Sequence, residues 1–220
     1  FRTINPYIET NIFKSSKNNN SERFNLRVQR SLSWLKKAVL MEHDKDLQFL
    51  SLRVSFNAIY TEDVERKNQQ KDHISQFLAL ISRQDQTQHL SQMVWGKLFE
   101  PIQKILANPY SYQAYWDYRN QVVAQVTWKD SFEHEKKLIH DVFENKNSNE
   151  ILSVVFNRML TIEHQILQGG SSYNSSINRP LISQCCEILI ALIPAILELL
   201  INNAQKWHFL KPHYPVVQVS

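Results

Sequence analysis

The sequence predicts an all-α protein, and three observations carry that prediction. Apolar residues recur at spacings of three and four along most of the chain, the pattern of helices with one buried face. Glycine is scarce: Gly96, Gly169 and Gly170 are the only three in 220 residues, whereas β-rich folds and phosphate-cradling loops need more positions at positive φ. The balance of 43% apolar to 21% charged residues belongs to a globular chain rather than a disordered one. The length suits one domain with a substantial core.

Residues 1–20, rich in Asn, Ser and Lys, read as a flexible arm, and residues 21–220 as a single helical domain. Ser21 is placed to cap a first helix, in which Phe24, Val28, Leu32, Leu35 and Val39 share a face as far as Met41. His43-Asp44-Lys45-Asp46 breaks it. A second helix follows from Asp46, with Leu47, Leu50, Val54 and Ala58 expected on one face and Phe49, Phe56 and Tyr60 broadening it. A third spans Gln70 to Ser82 through Ile74, Phe77, Leu78 and Ile81. A fourth, from Thr87 to Ala107, contains Pro101, which should kink or split it.

Asn108-Pro109 signals a turn, followed by the aromatic cluster Tyr110, Tyr112, Tyr115, Trp116 and Tyr118. Arg119 to Ala124 reads as a helical segment that packs Val122, Val123 and Val126. Trp128 to Asn145 forms a further helix through Phe132, Leu138, Ile139, Val142 and Phe143. The next, from Glu150 to Gln168, has a stripe of Ile151, Val155, Met159, Ile162 and Ile166, widened by Leu152 and Val154 and ended by Gly169-Gly170 as a C-cap. Ser171 to Arg179 is a polar loop. Pro180 suits the first turn of a last long helix that runs to Asn203.

Several function classes are set aside on composition. A net charge of +4 and a pI near 9.0 permit an anionic partner, but Lys and Arg are interleaved with Asp and Glu rather than gathered in a basic stripe. Cys185 and Cys186 are adjacent and have no second pair with which to form a zinc site or disulfide framework. They are expected to be small apolar residues of a buried helix, in a chain of the reducing cytoplasm. The longest apolar run, Ile188 to Ile201, is broken by Pro194 and Glu198 and falls short of the ~20 residues a bilayer requires, so no membrane span is expected. His134, His140, His208 and His213 are scattered without ligand spacing, so neither metal nor cofactor is expected. A P-loop and a Gly-x-Ser-x-Gly turn are both missing, which sets aside nucleotide hydrolysis and esterases of that kind.

One set of segments points further. Ser31-Leu32-Ser33-Trp34-Leu35-Lys36-Lys37-Ala38 is followed by Phe49-Leu50-Ser51-Leu52-Arg53-Val54-Ser55-Phe56-Asn57-Ala58-Ile59-Tyr60. Later come the loop from Gly169 to Arg179, the apolar helix Ile188 to Ile201 and the closing Tyr214-Pro215-Val216-Val217. In this order, from residue 23 to the end, they resemble a group of bacterial HEPN-domain proteins. The resemblance implies a HEPN-like helical bundle with helical additions that pairs as a homodimer. It implies metal-independent RNA cleavage, in toxin–antitoxin or phage-defence settings, by an Arg, a polar residue and a His on the helix before the loop. The 2′-hydroxyl attacks the adjacent phosphate while His moves protons and Arg steadies the phosphate charge. It further implies RNA as ligand, a cognate antitoxin or nucleotidyltransferase as protein partner, and Asn174, Asn178 and Arg179 of the loop as RNA contacts.

The motif itself departs from that pattern. Aligned on the double glycine, the expected Arg-Asn falls on Glu163-His164 and the expected His on Gln168. A Glu repels phosphate, and a Gln is neither acid nor base near neutral pH. A looser match keeps Arg158 and His164, which lie about 120° apart around a helix at ~100° per residue. The leading expectation is therefore a HEPN-like RNA-binding or interaction protein with a degenerate ribonuclease site. One alternative is an active metal-independent endoribonuclease using Arg158 and His164; another is a structural helical protein unrelated to RNA. The aromatic cluster at 110–118 is expected to fill a core or interface, with base stacking as the alternative.

Overall fold

The computed structural model describes residues 11, 13–15, 17, 20–60 and 70–207, and among them there is no strand. Helix α1 (Glu22–Leu40) is capped as expected, Ser21 Oγ accepting from the Phe24 amide at 3.3 Å. Asp44 caps α2 (Lys45–Tyr60) in the same way, its carboxylate accepting from the Leu47 amide at 3.0 Å. The two helices pair along most of their length. Small side chains let them approach: Ser55 Oγ donates to the Ser31 carbonyl at 2.8 Å and lies 3.0 Å from the Ser31 hydroxyl.

Three helices follow: α3 (Gln70–Gln84), α4 (His89–Trp95) and α5 (Phe99–Ala107). The expected fourth helix is thus split, but at Gly96 to Leu98 rather than at Pro101. A Cβ on Gly96 would lie 2.7 Å from the Gln92 carbonyl, so the break falls where only glycine fits. Pro101 sits in the first turn of α5, where its missing N–H has no intrahelical partner to lose.

After a single 3₁₀ turn at Pro109–Ser111 come α6 (Gln113–Arg119), α7 (Gln125–Glu144), α8 (Ser148–Leu167) and α9 (Arg179–Asn202). Helix α9 is the hub, packing on α2 and α5 and touching α1, α3 and α4. Its surface is apolar nearly all round, and such a helix must be covered on every side. It extends beyond the apolar run seen in the sequence and, among the described residues, is the one helix long and apolar enough to cross a membrane; 72% of its most apolar window is buried inside the fold. Cys185 and Cys186 lie in this buried helix. Helix α8 packs on α3, and Phe56 of α2 stacks on Phe156 of α8 at 4.3 Å.

Three expectations are corrected by packing. On α2, Leu47 and Val54 of the predicted apolar face are exposed, and Phe49, Leu52, Arg53, Phe56 and Ile59 are buried. The helix is held between α1 and α9, and that pairing selects the aromatic face. On α1, Val39 is exposed and Ala38 takes the buried position. The segment Arg119 to Ala124 is a turn, not a packed helix: Arg119 ends α6, and Val122 is 73% exposed and Val126 also exposed.

Within the stretch read as an arm, Phe13 is helical and buried in the core; residues 1–10 lie outside the described residues, as do His208, His213 and the closing Tyr214 to Val217.

Helix ends explain the misread turn. Helix α8 closes with the Gly170 amide donating to the Gln165 carbonyl at 2.7 Å and the Gly169 amide to Ile166 at 3.2 Å, with Gly169 at φ +72°. This is the paired capping pattern that needs a left-handed residue just past the helix. Helix α6 ends identically through Gln121, at φ +61°, and α7 through Lys146, at φ +48°: Val122 donates to Asp117 at 2.8 Å, and Asn147 to Val142 at 3.1 Å. Left-handed backbone costs an L-residue about 1 kcal/mol or more. Replacing Lys146 with Gly should therefore raise the free energy of unfolding by about 0.5–1 kcal/mol, and Gly169→Ala should lower it by about 1 kcal/mol, both read by urea denaturation.

Candidate functional site

The positions singled out in the sequence lie on α8, in the loop after it and, for Arg179, at the first residue of α9, and the fold separates them. Glu163 faces the core. Its Oε2 accepts from Arg53 Nε of α2 at 2.8 Å and lies 2.7 Å from Nη2 of the same guanidinium, whose side chain is 0% exposed. That second contact has the distance of an ion pair but not the alignment of a hydrogen bond, and Arg53 Nη1 has no hydrogen-bond partner. Phe56 and Phe156 flank the guanidinium, their ring centres 5.8 and 6.0 Å from its carbon. Burial pushes the nearby Cys185 thiol well above its ordinary range, with the Arg53 charge opposing that only in part. Burial likewise raises Cys186, to about 12, so neither thiol forms a nucleophilic thiolate near neutral pH.

Gln168 is the C-cap of α8, its amide donating to the His164 carbonyl at 2.9 Å, and its side chain is exposed. His164 is exposed one turn earlier. Arg158 is elsewhere: its side chain is 3% exposed beneath α7, with Nη2 3.2 Å from Glu135 Oε2. Its guanidinium carbon lies 4.3 Å from the Tyr112 ring centre and 5.4 Å from that of Phe132. Burial pulls the Arg158 pKa down, and Glu135 and then Tyr112 push it back up. Burial, then the Glu135 charge, raises the Tyr112 hydroxyl. Arg158 and His164 therefore occupy different environments, one desolvated under a neighbouring helix and one in water. Within one chain they do not form a surface on which a phosphate would meet both a guanidinium and an imidazole.

The loop residues read as RNA contacts are drawn toward the protein. Arg179 Nη2 pairs with Asp46 Oδ2 at 2.9 Å, and the Asn174 amide donates to the same oxygen at 2.7 Å. Asn174 sits at φ +57°, a conformation asparagine tolerates better than most residues, and its side chain is exposed. Asn178 is buried, its Nδ2 reaching Ser171 Oγ at 3.5 Å. Tyr173 completes the arrangement, its hydroxyl donating to Asp44 Oδ2 at 2.6 Å. Two carboxylates at the start of α2 thus hold the loop down.

The aromatic cluster forms a layer of its own. Tyr115 meets Trp128 edge to face at 5.1 Å, Tyr118 stacks on Trp128 at 6.1 Å and Tyr112 meets Phe132 at 5.2 Å. Among the described residues no group of three or more His, Cys, Asp or Glu is placed to hold a metal ion. Sequence reasoning passed over Arg53, Asp44, Asp46 and Glu135. Arg53 was detectable: an arginine between Leu52 and Val54 in a buried helix demands a carboxylate partner. Comparison with family models, curated proteins and solved structures finds no match for this chain.

Two measurements probe these contacts. Glu163→Gln leaves a desolvated guanidinium without its countercharge and should cost about 3–5 kcal/mol in urea denaturation. Arg53→Met with Glu163→Leu together should recover most of that loss. For the loop, the hydrogen bond from Tyr173, then that from the Leu47 amide, holds the Asp44 carboxyl below its ordinary 3.8, so its contribution is present above 3.8 and is lost as pH falls through the lower folded value. The same bond raises Tyr173 above 10.0, so the donor persists past its ordinary titration. Amide exchange of residues 171–178, referenced to that of α9 at each pH, should rise in acid only below pH 3.8, and Asp44→Asn should show fast exchange already at neutral pH.

Proposed function

We propose that this chain is a HEPN-like helical module of the bacterial cytoplasm that acts by binding rather than by cutting, with RNA and a second copy of itself as its partners. The observation that carries this reading is the buried Arg53–Glu163 pair. At the position where the resemblance expects a phosphate-steadying arginine, the chain carries a carboxylate committed to the core. Gln168, where a proton-moving histidine is expected, has no titratable group.

Other features support binding. The net charge of +4 favours an anionic partner. The outward side of α2 carries exposed Leu47 and Val54, apolar surface available to a second copy. Membership of a toxin or phage-defence system, with a cognate antitoxin or nucleotidyltransferase as protein partner, belongs to the same proposal. The alternative ribonuclease built on Arg158 and His164 has no geometric support within one chain, because Arg158 would first have to leave its place under α7.

The experiment combines three readings on the full chain. Incubation with mixed cellular RNA in EDTA should give no cleavage. Light scattering at tens of micromolar, a range in which interfaces of ordinary size associate, should give a dimer mass. Fluorescence anisotropy should show RNA binding that weakens as salt rises. RNA cleavage that disappears with His164→Ala would overturn the proposal in favour of the enzyme. A monomer that leaves RNA unbound would remove it altogether.

A further inference from the structure

Arg158 carries an unmet polar demand. Its Nε, Nη1 and Nη2 are all buried without a hydrogen-bond partner, although the side chain is 3% exposed and Glu135 lies 3.2 Å away. Unpaired buried donors are costly, more so when charged. One helical turn before Phe132 on α7, Trp128 Nε1 is likewise buried and unpartnered. Tyr112 and Phe132 wall the guanidinium with their rings, a surface that holds a cation without satisfying its N–H groups. Glu135, its countercharge, is partly open to solvent, its side chain 25% exposed.

The elements over Arg158 share little of the core: α6 is tied at its start, where Trp116 Nε1 donates to the carbonyl of Tyr110 at 2.8 Å and Tyr110 packs against the core, and α7 near its C-terminus. Helix α6 has no buried residue. Helix α7 buries only Phe132, Ile139 and Val142, and of these Ile139 and Val142 belong to the contiguous core whereas Phe132 stands outside it. Near its C-terminus α7 is further tied by Phe143, whose ring meets Trp95 at 5.9 Å and Phe99 at 5.5 Å. Its N-terminal half, with α6, rests on the separate aromatic layer. Few core contacts are the mark of a segment that opens at low cost.

We propose that Arg158 is a binding site for an oxyanion of the phosphate class, closed by the α6–α7 hairpin, with the Glu135 carboxylate standing where the ligand would sit. A guanidinium presents a planar fork that matches carboxylate and phosphate alike. Glu135 supplies the countercharge but leaves the donors unsatisfied. A phosphate offers more acceptor oxygens, so it gains hydrogen bonds that the closed state lacks. Movement of the N-terminal half of α7 withdraws Glu135 and opens the site in one step, which makes the contact autoinhibitory. Inorganic phosphate suffices as ligand, whether or not the chain binds RNA.

The test is calorimetric titration of the full chain with inorganic phosphate, for the wild type, Glu135→Gln and Glu135→Gln/Arg158→Met, with hydrogen exchange of residues 113–135 measured on the wild type. Loss of the competing carboxylate should tighten phosphate binding at least about tenfold, the scale of one charged hydrogen bond. The double variant should lose that gain. Amides of 113–135 should exchange faster than those of α9. Equal phosphate affinity in wild type and Glu135→Gln, or binding that survives Arg158→Met, overturns the proposal. Should Glu135→Gln fail to fold, the exchange measurement decides: protection of 113–135 equal to that of α9 overturns it, because the closed hairpin then does not open.

Discussion

A guanidinium with no solvent exposure cannot remain in an apolar core without a carboxylate beside it, and the interior of this protein is arranged around one such pair. Arg53 enters from α2 and Glu163 from α8, on helices joined also by the Phe56–Phe156 stack. The buried face of α2 is therefore set by charge as well as by oil. Turning α2 to bury Leu47 and Val54 would strand Arg53 in water and Glu163 in hydrocarbon. A buried ion pair is weak evidence for added stability, since well-packed apolar residues often do as well. Its clearer consequence is register: the pair is satisfied in one rotation of α2 against α8 and is costly in others.

The same economy of carboxylates recurs on the surface. Asp44 caps α2 and accepts from Tyr173, while Asp46 accepts from the Asn174 amide and Arg179. The loop after α8 is thereby fixed to the start of α2, closing a circuit from α2 through Glu163 and α8 back to α2. Every acidic group in this circuit is occupied in holding the fold. The residues that looked available for an anionic ligand, Arg179 above all, are neutralised by these acids.

Much of this was legible in the sequence, and the failures have definite causes. The long periodic helices were read correctly, whereas the short α6 was passed over as an aromatic cluster; the caps at Ser21 and Gly169 follow from residue types with strong positional meaning. The turn after Arg119 was missed because its left-handed residue is Gln121 rather than glycine. The face of α2 was misassigned because periodicity gives a stripe but not its partner, and both stripes of that helix are apolar. Glu163 was visible as a departure from a motif and Arg158 as part of a looser match to it. Their partners, Arg53 and Glu135, lie on other helices, and which carboxylate meets which guanidinium follows only from the placement of the helices. That Arg158 chose Glu135 over the acids of its own helix is a matter of which helix packs above it.

The fold consequently has two unequal parts. Around α9 lies a core in which α1, α2, α3, α5 and α8 cover one another. Beside it lies an aromatic layer, built by α6 and the first half of α7, that has no part in the buried ion pair and meets the apolar core through Tyr110. Rings meeting edge to face over a partly wet surface give orientation with modest burial, so this layer is held by geometry more than by the hydrophobic effect. Arg158 sits at the seam. Its backbone belongs to the rigid part through α8, and its countercharge belongs to the peripheral part through Glu135. A charge pair whose two halves lie on the core and on the peripheral layer couples the two: moving the layer away takes Glu135 from Arg158 and leaves the guanidinium to water or to another anion.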